Sequence, residues 1–150
     1  MSKKQNASAS ASVSADMSGQ SCCPCGRLTA LKKPLPFANC CASYLDDFAN
    51  TPAPDAETLM RSRYSAFVLS HFDYLTASWH ASTRPSDLSH QGHYTWLGLQ
   101  VRRHTVIDTD HAEVEFVARY RVAGRGARIH EVSRFVREAG RWYYLDSDLL

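Results

Sequence analysis

All five cysteines of this chain fall between residues 22 and 41, and the hundred-odd residues after them contain none. The window opens Cys22-Cys23-Pro24-Cys25-Gly26 and closes Cys40-Cys41, with fourteen residues between Cys25 and Cys40. Thiols used only as small apolar side chains would be scattered. Clustered thiols in a reducing compartment bind metal more often than they form disulfides. Zinc takes four soft ligands at the corners of a tetrahedron, with sulfur about 2.3 Å away. Cys23-Pro24-Cys25 offers two thiolates from a turn that Pro24 stiffens. Cys40-Cys41 offers two more, provided the backbone turns between them, because adjacent side chains normally diverge. The expected ligands are therefore Cys23, Cys25, Cys40 and Cys41, the expected cofactor is zinc, and Cys22 is a spare. A disulfide, or redox-active thiols without metal, is the competing reading.

The rest of the chain does not need that metal in order to fold. Of its 150 residues 44% are apolar, enough for one ordinary domain with its own core. The net charge of +2 comes from the N-terminal third, where Lys3, Lys4, Arg27, Lys32 and Lys33 face only Asp16, Asp46 and Asp47; from residue 55 onward the charges balance. No domain-wide basic field exists, so nucleic acid is not an expected partner. Nothing approaches the length of a membrane span, so no membrane is expected either. Residues 1–21 are Ser/Ala-rich, and no hydrophobic run follows Lys3-Lys4, which predicts a disordered tail on a protein that stays in the cytoplasm. Residues 22–54 hold the cysteine window and a polar connector, Ser43 to Pro54. The main domain spans 55–150.

Asp55 suits the N-cap of a helix running to Leu69, with Glu57 in its first turn. Met60, Tyr64, Phe67 and Val68 share one face of that helix. Arg63 sits on the shoulder of the face and Arg61 on the opposite shoulder. A partly buried guanidinium there needs a carboxylate or carbonyl partner, or must snorkel to water. A second helix is predicted from His71 to Trp79, with Ser70 and Asp73 spaced as a capping box and Phe72, Leu75 and Trp79 inward. His80 follows it. Beyond a polar loop the period becomes two. Leu97, Leu99, Val101 and Ile107 alternate with polar residues, as do Val114, Phe116, Ala118, Tyr120 and Val122. Ala123-Gly124-Arg125-Gly126 reads as a hairpin turn. The strand Ile129 to Val136 carries polar residues on both faces, and Glu138-Ala139-Gly140 turns the chain into a last strand, Arg141 to Leu145. Helices first and long hairpins afterwards make an α+β domain, helices packed on one face of a curved sheet. His90 and His93 lie three apart in the loop without an acid or cysteine nearby, and are not read as ligands.

Two resemblances sharpen this. The cysteine pairs resemble the SEC-C motif, a zinc knuckle of the form Cys-x-Cys, about eight residues, then Cys-Cys or His-Cys. The loop of fourteen here adds only about 0.5 kcal/mol of closure entropy, small beside the roughly 10–16 kcal/mol of structural zinc binding. Leu59-Met60-Arg61-Ser62-Arg63-Tyr64-Ser65-Ala66-Phe67-Val68, Trp79-His80, Phe116-Val117-Ala118-Arg119-Tyr120, and His130 to Val136 followed by Gly140-Arg141-Trp142-Tyr143-Tyr144 are similar to the bacterial YchJ family. The resemblance implies a nuclear-transport-factor-2-like cone after a SEC-C zinc knuckle. It implies no reaction.

Two functions follow as expectations. One is a non-enzymatic binding or adaptor protein that meets a protein partner through the zinc knuckle, beside Arg27, Lys32 and Lys33; the SEC-C motif at the tail of the preprotein translocase ATPase makes such a partner plausible by analogy. The other is a small-molecule-binding protein or acid/base enzyme with a pocket inside the cone, lined by Arg63, Tyr64, His80, His130, Glu131 and Arg134. In that pocket Arg63 is expected to pair with Glu131. No nucleophile elbow, phosphate loop or paired-carboxylate spacing points to a particular reaction.

Overall fold

The computed structural model describes residues 20–88 and 94–150. The predicted tail, apart from Gln20 and Ser21, and the pair His90 and His93 lie outside the described residues. Three helices, α1 (Ala42–Asp46), α2 (Ala56–Leu69) and α3 (Phe72–Ala77), precede four strands, β1 (Thr95–Val106), β2 (His111–Val122), β3 (Arg125–Glu138) and β4 (Arg141–Leu149). The strands form one antiparallel meander in chain order. The architecture is α+β, helices against one face of a curved sheet, as the periodicity implied. No helix among the described residues is long and apolar enough to cross a membrane.

Helix α2 starts where its cap chemistry demands. Asp55 is extended and accepts the Thr58 N–H at 2.7 Å, and Glu57 lies in the first turn. Its end differs from the sequence expectation. Ser70 adopts the left-handed conformation, φ 59°, ψ 36°, and its N–H bonds back to the Ala66 and Phe67 carbonyls. It therefore closes α2 instead of opening the next helix, and the proposed capping box with Asp73 does not form. Helix α3 is accordingly shorter than His71 to Trp79, with His71 at its N-cap and no side-chain cap. The connector after the cysteines also differs, because α1 occupies its first half.

The sheet is shaped by its turns and bulges. Ala123-Gly124 and Ala139-Gly140 each join two strands through two residues at positive φ, 51° and 75° in one turn and 51° and 77° in the other. That is the primed geometry whose twist matches the strands it joins. Strand β1 slips register against β2 between Trp96 and Gly98 and again between Val101 and Arg103. Each bulge shifts the alternation by one residue. Trp96 therefore turns inward beside Leu99 and Val101, while Leu97, expected inside, is 49% exposed. Ile107, also expected inside, lies beyond the strand end and is exposed. Strand β4 continues past Leu145 to Leu149, and the segment after α3 joins it: the His80 N–H bonds to Tyr144 O and the Tyr144 N–H to Ser78 O.

Helix α2 is buried nearly all round. Besides Leu59, Met60 and Tyr64 on the sheet side, Ser62, Arg63, Ser65 and Ala66 are 3% exposed or less, whereas Phe67 and Val68 are only half-buried. One continuous core holds Cys23, Cys25 and Cys41 together with Leu59 and Tyr64 of α2, Val114 and Phe116 of β2, Phe135 and Trp142. The alanines in the two hairpin turns make a prediction. A residue with a Cβ pays about 1–2 kcal/mol for left-handed backbone, less when it is asparagine. Ala139→Asn should raise stability by up to about 1 kcal/mol in chemical denaturation; an unchanged or lowered midpoint would contradict the turn assignment.

Candidate metal centre and cone cavity

The cysteine window folds as a short hairpin. The Gly26 N–H bonds to Cys23 O at 3.2 Å, closing a turn with Pro24 at its second position, where a fixed φ is an advantage. Gly26 itself has φ +73°, a conformation that glycine enters without strain. Cys22 bridges to Pro36 and Leu28 to Pro34 across the hairpin. A 3-10 turn, Phe37–Asn39, delivers the chain to Cys40, whose φ of -131° and ψ of -105° break the helical path before α1 begins at Ala42. This is the bend that adjacent cysteines need if both are to face one point.

Cys23, Cys25, Cys40 and Cys41 bring their sulfurs within 4.8 Å of one another. Cys25 and Cys40 are 3.5 Å apart and Cys40 and Cys41 4.0 Å. A tetrahedron with metal–sulfur bonds near 2.3 Å has sulfur–sulfur edges of about 3.8 Å, so this donor set could hold a metal ion. Cys22 is exposed and outside the group. The thiols also need a cation electrostatically. Contacts from Cys25, Cys40 and Cys41 hold Cys23 far below the usual thiol range, and Cys25, though raised by Cys23, is lowered overall by Cys40 and Cys41. The thiolates at Cys23 and Cys25 then push Cys40 and Cys41 well above it. Four anions cannot share the site without a positive ion, and a divalent metal would replace the protons.

The knuckle is seated on α2 by polar contacts as well as by its buried sulfurs. Arg61 donates to Cys25 O at 3.0 Å and to Glu57 at 2.8 Å, Arg27 reaches Thr58 at 3.0 Å, and the Cys23 sulfur lies 3.6 Å from the Ser65 hydroxyl. Ser65 lets the turn approach because it is small.

Along a different face of α2 lies a cavity of about 540 Å³ between helix and sheet. Of the six pocket residues expected from the sequence, Arg63, Tyr64 and Glu131 line it. His80, His130 and Arg134 do not. Ile129, Glu131 and Ser133 point inward from β3, so His130 and Arg134 point outward by strand alternation. His130 pairs with Glu115 at 2.9 Å, and Arg134 with Asp146 and Asp148. His80 sits at the edge of the sheet, bonded to Glu138 and Ser82.

The Arg63–Glu131 pair is absent as well. Arg63 is 3% exposed, which excludes snorkelling. Its Nη1 donates to Leu75 O at 2.9 Å and to Ser78 Oγ at 2.6 Å, and Tyr144 and Trp79 cover its faces with centroids at 4.6 and 5.3 Å. Burial lowers its pKa to about 10, so it stays charged at neutral pH. Glu131 lies instead near the Ser147 hydroxyl, and burial raises its carboxyl above the ordinary range. Ser78 and Ser147 carried no signal in the sequence, because each gains its role from a chain segment remote from its partner. Trp96 was hidden by the bulge in β1.

A helix-capped curved meander with a four-cysteine knuckle on its central helix defines a class: small proteins built on a nuclear-transport-factor-2-like cone with a metal-binding type of cysteine cluster at the front. Residues 55–147 match the family described as YchJ, middle NTF2-like domain, and the chain belongs to the YchJ family. A UPF0225 protein of Polaromonas sp. (strain JS666) is 64% identical over 127 residues, 84% of this chain and 91% of that protein. Another from Bordetella parapertussis is 50% identical, over 88% of this chain and 96% of that one. Among solved structures, a SEC-C motif containing protein from Psychrobacter arcticus superposes with a TM-score of 0.74 at 34% identity, covering 85% of this chain and 82% of that chain. One from Rhodopseudomonas palustris gives 0.73 at 29%, covering 87% and 99%.

The Glu131 shift has a definite sign. Its folded carboxyl ionises at a higher pH than the unfolded one, so stability is full below the ordinary carboxyl range and falls as pH rises through the folded pKa. Glu131→Gln should leave the melting temperature unchanged near about pH 4 and raise it near about pH 7. An equal effect at both pH values would contradict the placement of Glu131.

Proposed function

We propose that this chain is a zinc-stapled binding protein, in which one zinc ion on Cys23, Cys25, Cys40 and Cys41 locks the knuckle to α2 and the cone beneath α2 receives a small molecule. The observation that carries this reading is the position of α2 between the two features: Cys23, Cys25 and Cys41 belong to the same core as Leu59 and Tyr64, while Arg63 and Tyr64 of the same helix line the 540 Å³ cavity. Cavities of this size with mostly aromatic walls and a few polar groups are typical ligand sites. Zinc is favoured over other metals because four thiolates and tetrahedral edges suit it, and the reducing cytoplasm is where such thiols stay available.

Binding without turnover is favoured by the same geometry. The histidines that would act as bases, His80 and His130, face away from the cavity, each engaged by its own carboxylate. Among the described residues Glu131 is the one carboxylate on the cavity wall.

A second reading has the knuckle also dock a protein partner. Its hairpin tip exposes Leu28 at 52% and Leu31 at 80% beside Lys32 and Lys33, which would suit an acidic segment with apolar side chains. Recovery of the same proteins by wild type, Leu31→Ser/Lys33→Glu and Cys40→Ser would remove this second role.

Metal analysis of the purified chain should find one zinc per molecule. Chelation, or Cys40→Ser, should lower the melting temperature by ten degrees or more, an order-of-magnitude expectation for losing a structural zinc. Metal-free protein with an unchanged melt would overturn the staple.

A further inference from the structure

Resting on the reading of the cone as a ligand site, we infer that its ligand is a planar aromatic monocarboxylate, the carboxylate held by Arg63 and the ring set against Trp96 and its aromatic neighbours. Arg63 is the starting point. A guanidinium buried to this depth ordinarily sits against a carboxylate, because an uncompensated charge in a core is costly. Among the described residues no acid forms an ion pair with it. The Leu75 carbonyl, the Ser78 hydroxyl and the faces of Tyr144 and Trp79 soften its charge without neutralising it. All its hydrogen bonds among the described residues come from Nη1, which leaves Nε and Nη2, the donors of the guanidinium fork, for an acceptor in the cavity that Arg63 lines. A planar fork recognises a carboxylate in two parallel hydrogen bonds.

The charge of the ligand follows from the rest of the wall. Among the described residues Glu131 is the other charged side chain there, close to the Ser147 hydroxyl. Arg63 supplies one positive charge, which a monoanion matches one for one. A phosphate dianion would meet too little positive charge and would be repelled by Glu131.

Its shape follows from the rings. Trp96 lies 5.8 Å from Tyr64, 5.7 Å from Phe67, 5.9 Å from Tyr94 and 5.7 Å from Tyr120, centroid to centroid, in edge or tilted arrangements. Such a set presents both ring faces and ring edges, which hold another flat ring better than a flexible alkyl chain. A cavity of about 540 Å³ admits one or two fused rings.

The test titrates the full-length, zinc-loaded protein at neutral pH with four probes: 2-naphthoate, its neutral amide, the cation 2-naphthylmethylamine, and octanoate. Calorimetry gives stoichiometry and affinity, and emission from Trp79 and Trp96, which line the cavity, reports the location. The expected result is one-to-one binding of naphthoate, at least about tenfold tighter than the amide or octanoate, with no binding of the amine. Equal or tighter binding of the amide, amine or octanoate overturns the ligand class and leaves the cone as a binding site. Failure of all four to bind overturns the cone reading itself. Because Arg63→Met removes a buried residue and can fail to fold, two further variants carry the test. Ala118→Phe, which fills the cavity from β2, should abolish binding of every probe with the melt retained. Glu131→Gln should tighten naphthoate several-fold and leave the amide unchanged; an equal effect on both probes overturns the inference, since a purely structural Glu131 would not separate them.

Discussion

The seating of the cysteine knuckle on α2 is the contact on which the rest of this molecule depends. A fourteen-residue helix that carries Ser62 and Ser65 among its apolar residues would, on a bare sheet, leave both facing water. Here the knuckle and α3 cover them. The Ser62 hydroxyl is satisfied by Leu59 O and the Tyr74 hydroxyl, Ser65 gives room to the Cys23 sulfur, and Arg61 ties the helix to the turn through Cys25 O. Small polar residues make this approach possible, because a larger side chain at either serine would hold the second layer away. A metal ion drawing four sulfurs together would therefore stiffen the helix that roofs the cone and not only the loop that binds it.

Arg63 connects that roof to the wall. It leaves α2, passes between Trp79 and Tyr144, and ends on the carbonyl and hydroxyl that close α3. The Ser78–His80 segment is in turn hydrogen-bonded to Tyr144. One buried cation thus joins α2, the end of α3 and β4, and its environment of carbonyl, hydroxyl and ring faces leaves it charged. The same side chain that organises this corner also gives the cavity its electrostatic character.

The chain's place in the YchJ family bears on what is shared. Relatives at 50–64% identity match it over most of their length, and structures at 34% and 29% identity keep the same fold. Function in a cone of this kind resides in the side chains that line it and not in the fold, which hosts unrelated activities.

Local chemistry alone determined much of this protein. The clustering of Cys23, Cys25, Cys40 and Cys41, the Asp55 cap, the two Ala-Gly hairpins and the alternation of Ala112 to Phe116 are readable because each depends on neighbours within a few residues or on a strict period. Tertiary structure decided the rest. Bulges in β1 exchanged Leu97 for Trp96 at the wall, since a one-residue slip reverses every side chain beyond it. The left-handed Ser70 ended α2 where a capping box had been expected to open α3. Above all, which of Arg63, Tyr64, His80, His130, Glu131 and Arg134 share a cavity could not be known until strand alternation set Glu131 inward and His130 and Arg134 outward, and until α3 supplied Arg63 with a carbonyl and a hydroxyl in place of a carboxylate. Composition marks a residue as capable of chemistry, but only packing gives it a partner.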